Sequence, residues 1–188
     1  MDALLIALLG CLLGEIGGKG QWLVLALATR YNRDGAIIAG IVVAATLNAA
    51  ISALAGGWIG PMLGTDARLL FMALSVLFLG AGLFWPVKRP DTLSGWPLGA
   101  FLTSAIGLLI LGFGDGPQFL ILGIATRTAD PMLAGIGGAI GVIVALVPVV
   151  LLREQLLAVL PLRAIRWTGG TVLLATGAIM ALSATGLL

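Results

Sequence analysis

Gly14-Glu15-Ile16-Gly17-Gly18-Lys19-Gly20-Gln21 sets a carboxylate, an ammonium and an amide among four glycines, between Leu12-Leu13 and Trp22-Leu23. A second polar cluster stands 97 positions on, as Gly112-Phe113-Gly114-Asp115-Gly116-Pro117-Gln118. Each cluster lies near the centre of a long apolar run. Polar groups twice placed at the depth of a membrane decide how the rest of the chain is read.

The surroundings are those of a bilayer. Of 188 residues, 60% are hydrophobic and 10% charged, against roughly 25% charged in a soluble domain. Six apolar segments reach spanning length, about 20 residues: Ala3–Thr29, Ala36–Gly60, Leu69–Trp85, Leu98–Thr126, Met132–Leu152 and Thr168–Leu188. The first and fourth are too long for one upright helix, ~40 Å against a hydrocarbon core of ~30 Å. Tilt or interruption would absorb the excess. The Gly/Pro clusters at their centres favour interruption, at Gly17 and Gly18 in one and at Gly114, Gly116 and Pro117 in the other.

Several function classes fall away. The chain has no histidine and one cysteine, Cys11, which excludes an intrachain disulfide and disfavours a zinc site. A net charge of +2 dispersed over loops makes no nucleic-acid footprint. No nucleophile–base pair or cofactor motif marks an enzyme. Leu8-Leu9-Gly10-Cys11 resembles a lipoprotein cleavage box, yet Met1-Asp2 lacks the positive start of a signal, so a retained helix is expected.

Basic residues orient the segments. Loops after the first, third and fifth hold Arg30, Arg33, Lys88, Arg89, Arg153, Arg163 and Arg166, whereas those after the second and fourth hold Arg68 and Arg127. The bias places the odd loops in the cytoplasm and both termini outside. Arg153–Arg166 is expected to lie along the cytoplasmic interface, its arginines near lipid headgroups. Trp85, Trp96 and Trp167 suit interfacial anchors, while Trp22 is deep enough to wall a site.

The 97-residue offset is an internal repeat. Between Gly17–Arg30 and Gly114–Arg127 seven of fourteen positions are identical, among them Gly17/Gly114, Gln21/Gln118 and Ala28-Thr29-Arg30/Ala125-Thr126-Arg127. The expected fold is therefore an all-α membrane protein of six transmembrane helices in two three-helix repeats. These are residues 1–85 and 98–188, joined by a cytoplasmic linker over 86–97. Three spans per half invert the second copy, which in transporters puts the substrate site between the halves near the midplane.

The polar residues admit more than one arrangement. Glu15 and Lys19 are four apart in the order that favours a salt bridge, so they can neutralise one another. Asp115 has no cation in its own segment and can pair with Lys19 across the halves. Alternatively Asp115 and Glu15, with the amide oxygens of Gln21 and Gln118 and carbonyls freed at the glycines, form a hard-oxygen ligand set suited to Mn2+, Ca2+, Mg2+ or Na+. Asn48 and Thr46 read as interhelical hydrogen-bonding residues.

Glu15-Ile16-Gly17-x-Lys19-x-Gln21, followed by an apolar run ending Ala28-Thr29-Arg30-Tyr31, resembles the manganese/calcium cation:proton exchangers of Golgi, chloroplast and bacterial membranes, within the lysine-exporter superfamily. The likeness spans the chain: six segments, the duplication, the motif positions and the size. Those proteins carry Glu-x-Gly-Asp-Lys-Thr/Ser twice. Here Gly18 and Gly20 replace the aspartate and hydroxyl residue of the first copy. Gly112, Gly116 and Pro117 replace the glutamate, lysine and hydroxyl residue of the second, so Glu15, Asp115 and Lys19 survive.

The resemblance implies export of a divalent cation, Mn2+ or Ca2+, against protons. Glu15, Asp115, Gln21 and Gln118 would then be metal-binding and Lys19 a charge-compensating gate. No cofactor is implied, the metal being cargo. The partners would be the ion, protons and lipid, with a homodimer left open, and the location a bacterial inner membrane. Two other functions are an exporter of a small organic solute such as an amino acid and a non-transporting membrane protein.

Overall fold

Apolar segments with no water to satisfy their backbones must close their hydrogen bonds internally, and helices do so. A computed structural model describes residues 1–188 except positions 89, 94, 129 and 188, so Arg89 of the linker lies outside the described residues. Its elements in order are α1 (Asp2–Glu15), α2 (Lys19–Tyr31), α3 (Asp34–Ile59), a 3-10 turn (Gly60–Met62), α4 (Thr65–Phe84), α5 (Ala100–Gly112), α6 (Gly116–Thr128), α7 (Pro131–Leu152), α8 (Glu154–Val159) and α9 (Leu162–Ala184). No strand occurs among the described residues.

Four helices are long and apolar enough to cross a membrane: α3 with its 3-10 turn, α4, α7 and α9. The pairs α1+α2 and α5+α6 are each bent by 65°, and counting each as one span brings the number to six. Both bends fall at the glycine clusters, where interruption was expected.

Local chemistry explains the ends. Asn32 closes α2 in the left-handed region, which asparagine tolerates. Asp130 accepts from Leu133 N–H ahead of Pro131 and opens α7, a cap followed by proline at the first helical position. Two helix starts depart from the sequence reading. α4 begins at Thr65 rather than Leu69. α9 begins at Leu162 rather than Thr168 and takes in Arg163 and Arg166, leaving only the short α8 between it and α7.

The interior is built from small residues. Ala3, Ala7 and Cys11 form a fully covered stripe at every fourth position of α1, and α1 lies along α7. A Cβ added to Gly137 or Gly141 of α7 would land on the carbonyl oxygens of Leu4 and Leu8. Backbones thus meet with no side chain between them, as expected where lipid supplies no hydrophobic drive and close van der Waals contact must. α4 crosses α9 in the same manner at Gly80 and Gly170. Large apolar side chains such as Leu54, Leu74, Phe78, Ile110, Ile136 and Val172 point outward.

Candidate functional site

The two bends share one backbone path. After α1, Ile16 is extended (ψ 120°), Gly17 is left-handed (φ 67°), and Gly18 N–H donates to Glu15 O at 2.8 Å. After α5, Phe113 is extended (ψ 121°), Gly114 is left-handed (φ 76°), and Asp115 N–H donates to Gly112 O at 3.2 Å. Every residue in the second set follows its counterpart by 97 positions. Glycine takes that φ with no Cβ penalty, which accounts for Gly17 and Gly114.

A glutamine stitches each break. Gly17 N–H donates to Gln21 Oε1 at 2.9 Å, and Gly114 N–H to Gln118 Oε1 at 2.5 Å. The amide nitrogens reach across to the long helices. Gln21 Nε2 donates to Ala145 O of α7 at 2.9 Å. Gln118 Nε2 donates to Asn48 O and Asn48 Oδ1 of α3 at 3.5 and 3.3 Å. Ala145 again follows Asn48 by 97 positions.

Between the breaks lies a cavity of about 40 Å³, room for a few water-sized particles. Glu15, Asp115, Asn48 and Gln118 supply its polar lining, with walls from Ile41, Leu108, Ile121 and Leu146. Glu15 is only 8% exposed. Among the described residues its carboxylate accepts no hydrogen bond and joins no ion pair. Gly20 makes room for it, since a Cβ there would come 2.6 Å from Glu15 Oε2. Asp115 Oδ1 accepts from Gly116 N–H at 2.8 Å, which holds this acid at the opening of α6. The two carboxylates face one cavity and repel each other.

Asp115 also borders a second cavity of about 170 Å³, which Gly18, Lys19, Pro86 and Arg166 help to line. Lys19 is exposed there. The break removes the helical i,i+4 geometry, and among the described residues Lys19 is within ion-pair distance of neither Glu15 nor Asp115. The local Glu15–Lys19 salt bridge open to a continuous helix is therefore not formed.

Of the residues singled out in the sequence, Glu15, Asp115 and Gln118 come together around the smaller cavity. Gln21 does not line it; both of its polar atoms are taken up in holding the first break. Trp22 does not wall it either, and instead borders a pocket with Arg30, Pro90 and Glu154. Asn48 makes the interhelical hydrogen bonds expected of it, to Leu109 O and from Gln118 Nε2, and lines the cavity as well. One contributor was misread. Arg166 turns inward from lipid headgroups and donates to Ile16 O (3.4 Å), Gly82 O (3.1 Å) and Trp85 O (3.2 Å). Nothing local in the sequence signals either, because Asn48 and Arg166 meet partners 70 and 150 positions away.

Comparison with known proteins bears on the same two stretches. A family model described as "Divalent cation/proton antiporter GDT1" matches residues 3–91 and 100–187, two matches that begin 97 residues apart. A Vibrio cholerae serotype O1 protein named "Putative manganese exporter" is 32% identical over 167 residues, covering 88% of this chain and 84% of its own. No solved structure matches the chain.

Proposed function

The chain belongs to the GDT1 family of divalent cation/proton antiporters, a multi-pass membrane protein, and on that premise we propose that it exports Mn2+, or Ca2+, in exchange for protons. The observation that carries this reading is the buried Glu15 carboxylate, which has no protein partner and shares a small cavity with Asp115. A buried charge without compensation is costly. Either a cation or a proton must relieve it, and the choice between them is the chemistry of exchange.

Two carboxylates balance the charge of one divalent ion. When the ion leaves, protons take its place, and the two occupants exclude each other. Glu15 and Asp115 are the ligands in this reading, Gln118 assists from the cavity wall, and Gln21 fixes the break that presents Glu15. Lys19, beside Asp115 in the second cavity, acts as the charge-compensating gate. The small volume favours a bare or nearly bare ion, because about 40 Å³ does not admit an amino acid.

An inverted pair of three-helix repeats is supported by the two breaks, whose paths and glutamine bonds recur at one offset. A cytoplasmic position for the basic loops is supported by their gathering at one end. There Arg30 donates to Leu93 O and Trp96 O of the linker, and Arg153 to Asn32 and Asp34. Rocking of one half against the other would expose the cavity to each side in turn.

The test is flux in proteoliposomes holding a pH dye, with Mn2+ and Ca2+ supplied in turn. Mn2+ movement coupled to proton counterflow is expected, with loss of both in Glu15→Gln and in Asp115→Asn. Normal flux in either variant overturns the assignment. Amino-acid efflux indifferent to Mn2+ would instead favour an organic-solute exporter using the larger cavity.

A further inference from the structure

The two breaks follow the same path but are furnished differently. Glu15 has Gly112 as its counterpart 97 positions on, so the second half brings no carboxylate to that place. A Cβ at Gly112 would come 2.7 Å from Asn48 Nδ2. The room a side chain would need there is already held by an amide arriving from α3. The first break shows the converse: Glu15 comes from the break itself, and the crossing helix α7 offers only Ala145, the counterpart of Asn48. The hydrogen bonds of Gln21 to Ala145 and of Gln118 to Asn48 fix these as equivalent places. At this one pair of equivalent places, therefore, the first half presents a carboxylate from the motif and the second an amide from the crossing helix, beside the Asp115 and Gln118 that also line the cavity.

We propose that Asn48 is a third donor to the transported divalent cation and sets the charge of its site; this rests on the cation-transport reading above. Its Oδ1, oriented by the Gln118 Nε2 donor at 3.3 Å and by Nδ2 donating to Leu109 O at 3.4 Å, keeps a lone pair free. Glu15 and Asp115 already match a divalent charge. A neutral amide adds an oxygen ligand without charge, where a third carboxylate would add both. Ligand number and charge are the quantities that tune affinity for hard cations.

The experiment measures initial Mn2+ flux into proteoliposomes over a range of Mn2+ concentrations. It compares the unaltered chain with Asn48→Ala, Asn48→Asp and the double variant Asn48→Ala/Gly112→Asn. Asn48→Ala should raise the KM for Mn2+ on the order of tenfold. Asn48→Asp should lower the KM and slow turnover. The double variant, which returns the amide from the α5 side to the space vacated on α3, should bring the KM back toward its original value. An unchanged KM in Asn48→Ala overturns the proposal, as does a double variant no better than Asn48→Ala. If Asn48→Ala does not assemble, Asn48→Asp carries the test by its shape-preserving change of charge, and an unmoved KM in that variant is equally fatal. Failure of the unaltered chain to move Mn2+ would overturn the cation reading itself, a result none of the variants can imitate.

Discussion

At the scale of single residues, Gln21 and Gln118 do the same work in different surroundings. Each takes the N–H of a left-handed glycine and donates to a backbone carbonyl on a long helix. Gln21 is 2% exposed, so Gln21→Leu leaves the Gly17 N–H stranded away from water. Stranded buried groups cost about 1–3 kcal/mol each. Gln118 is only half-buried and its Nε2 bonds are long, 3.5 and 3.3 Å, so less is lost with its amide. Thermal unfolding in detergent should therefore show a large loss for Gln21→Leu and a smaller one for Gln118→Leu; the reverse order would contradict the glutamine-stitch account. Both glutamines were conspicuous in the sequence as amides at one offset. Their use as clamps was not, because a pattern of identities does not say whether an amide faces a cavity or a backbone.

At the scale of elements, the apolar runs reported themselves. Runs near Ala36–Gly60 and Met132–Leu152 became α3 and α7 almost end for end, because twenty apolar residues have few alternatives to a helix in lipid. The breaks were legible too, since glycine and proline cluster where polar residues sit. α9 was misjudged because Arg163 and Arg166 look like a polar interface, whereas Arg166 finds its partners on α1 and α4 through the fold. Helix contacts yield a sharper test. Gly141 lies so close to Leu8 O that a Cβ has no room, while nothing lies within 4 Å of a Cβ at Gly64. Gly141→Val should force α7 from α1 and cost about 1–3 kcal/mol, the usual range for overpacking. Gly64→Ala should leave the melting temperature unchanged. Equal melting of the two variants would mean that α1 and α7 are not in backbone contact.

At the scale of the whole molecule, the two ends of the helices differ in kind. One end gathers Arg30, the linker and Arg153 into a hydrogen-bonded group. At the other, the turn after α3 packs on the end of α6, where a Cβ at Gly60 would touch Thr126 O, and Arg68 folds back onto Leu63 O. In the orientation proposed above from the positive-inside rule, the first end is the internal one. Lys88 is exposed at that end, Gly64 lies open at the other, and Cys11 is buried against Pro117. In a Cys11→Ala background, an impermeant thiol reagent added outside intact cells should label Gly64→Cys and leave Lys88→Cys unmodified until the membrane is opened. The opposite labelling would reverse the direction of transport inferred for the site, because the cavity of Lys19 and Arg166 beside Asp115 is bordered by Trp85, Pro86 and Val87, at the linker end. If that end is internal, Asp115 is the carboxylate that an ion arriving from the cytoplasm meets first.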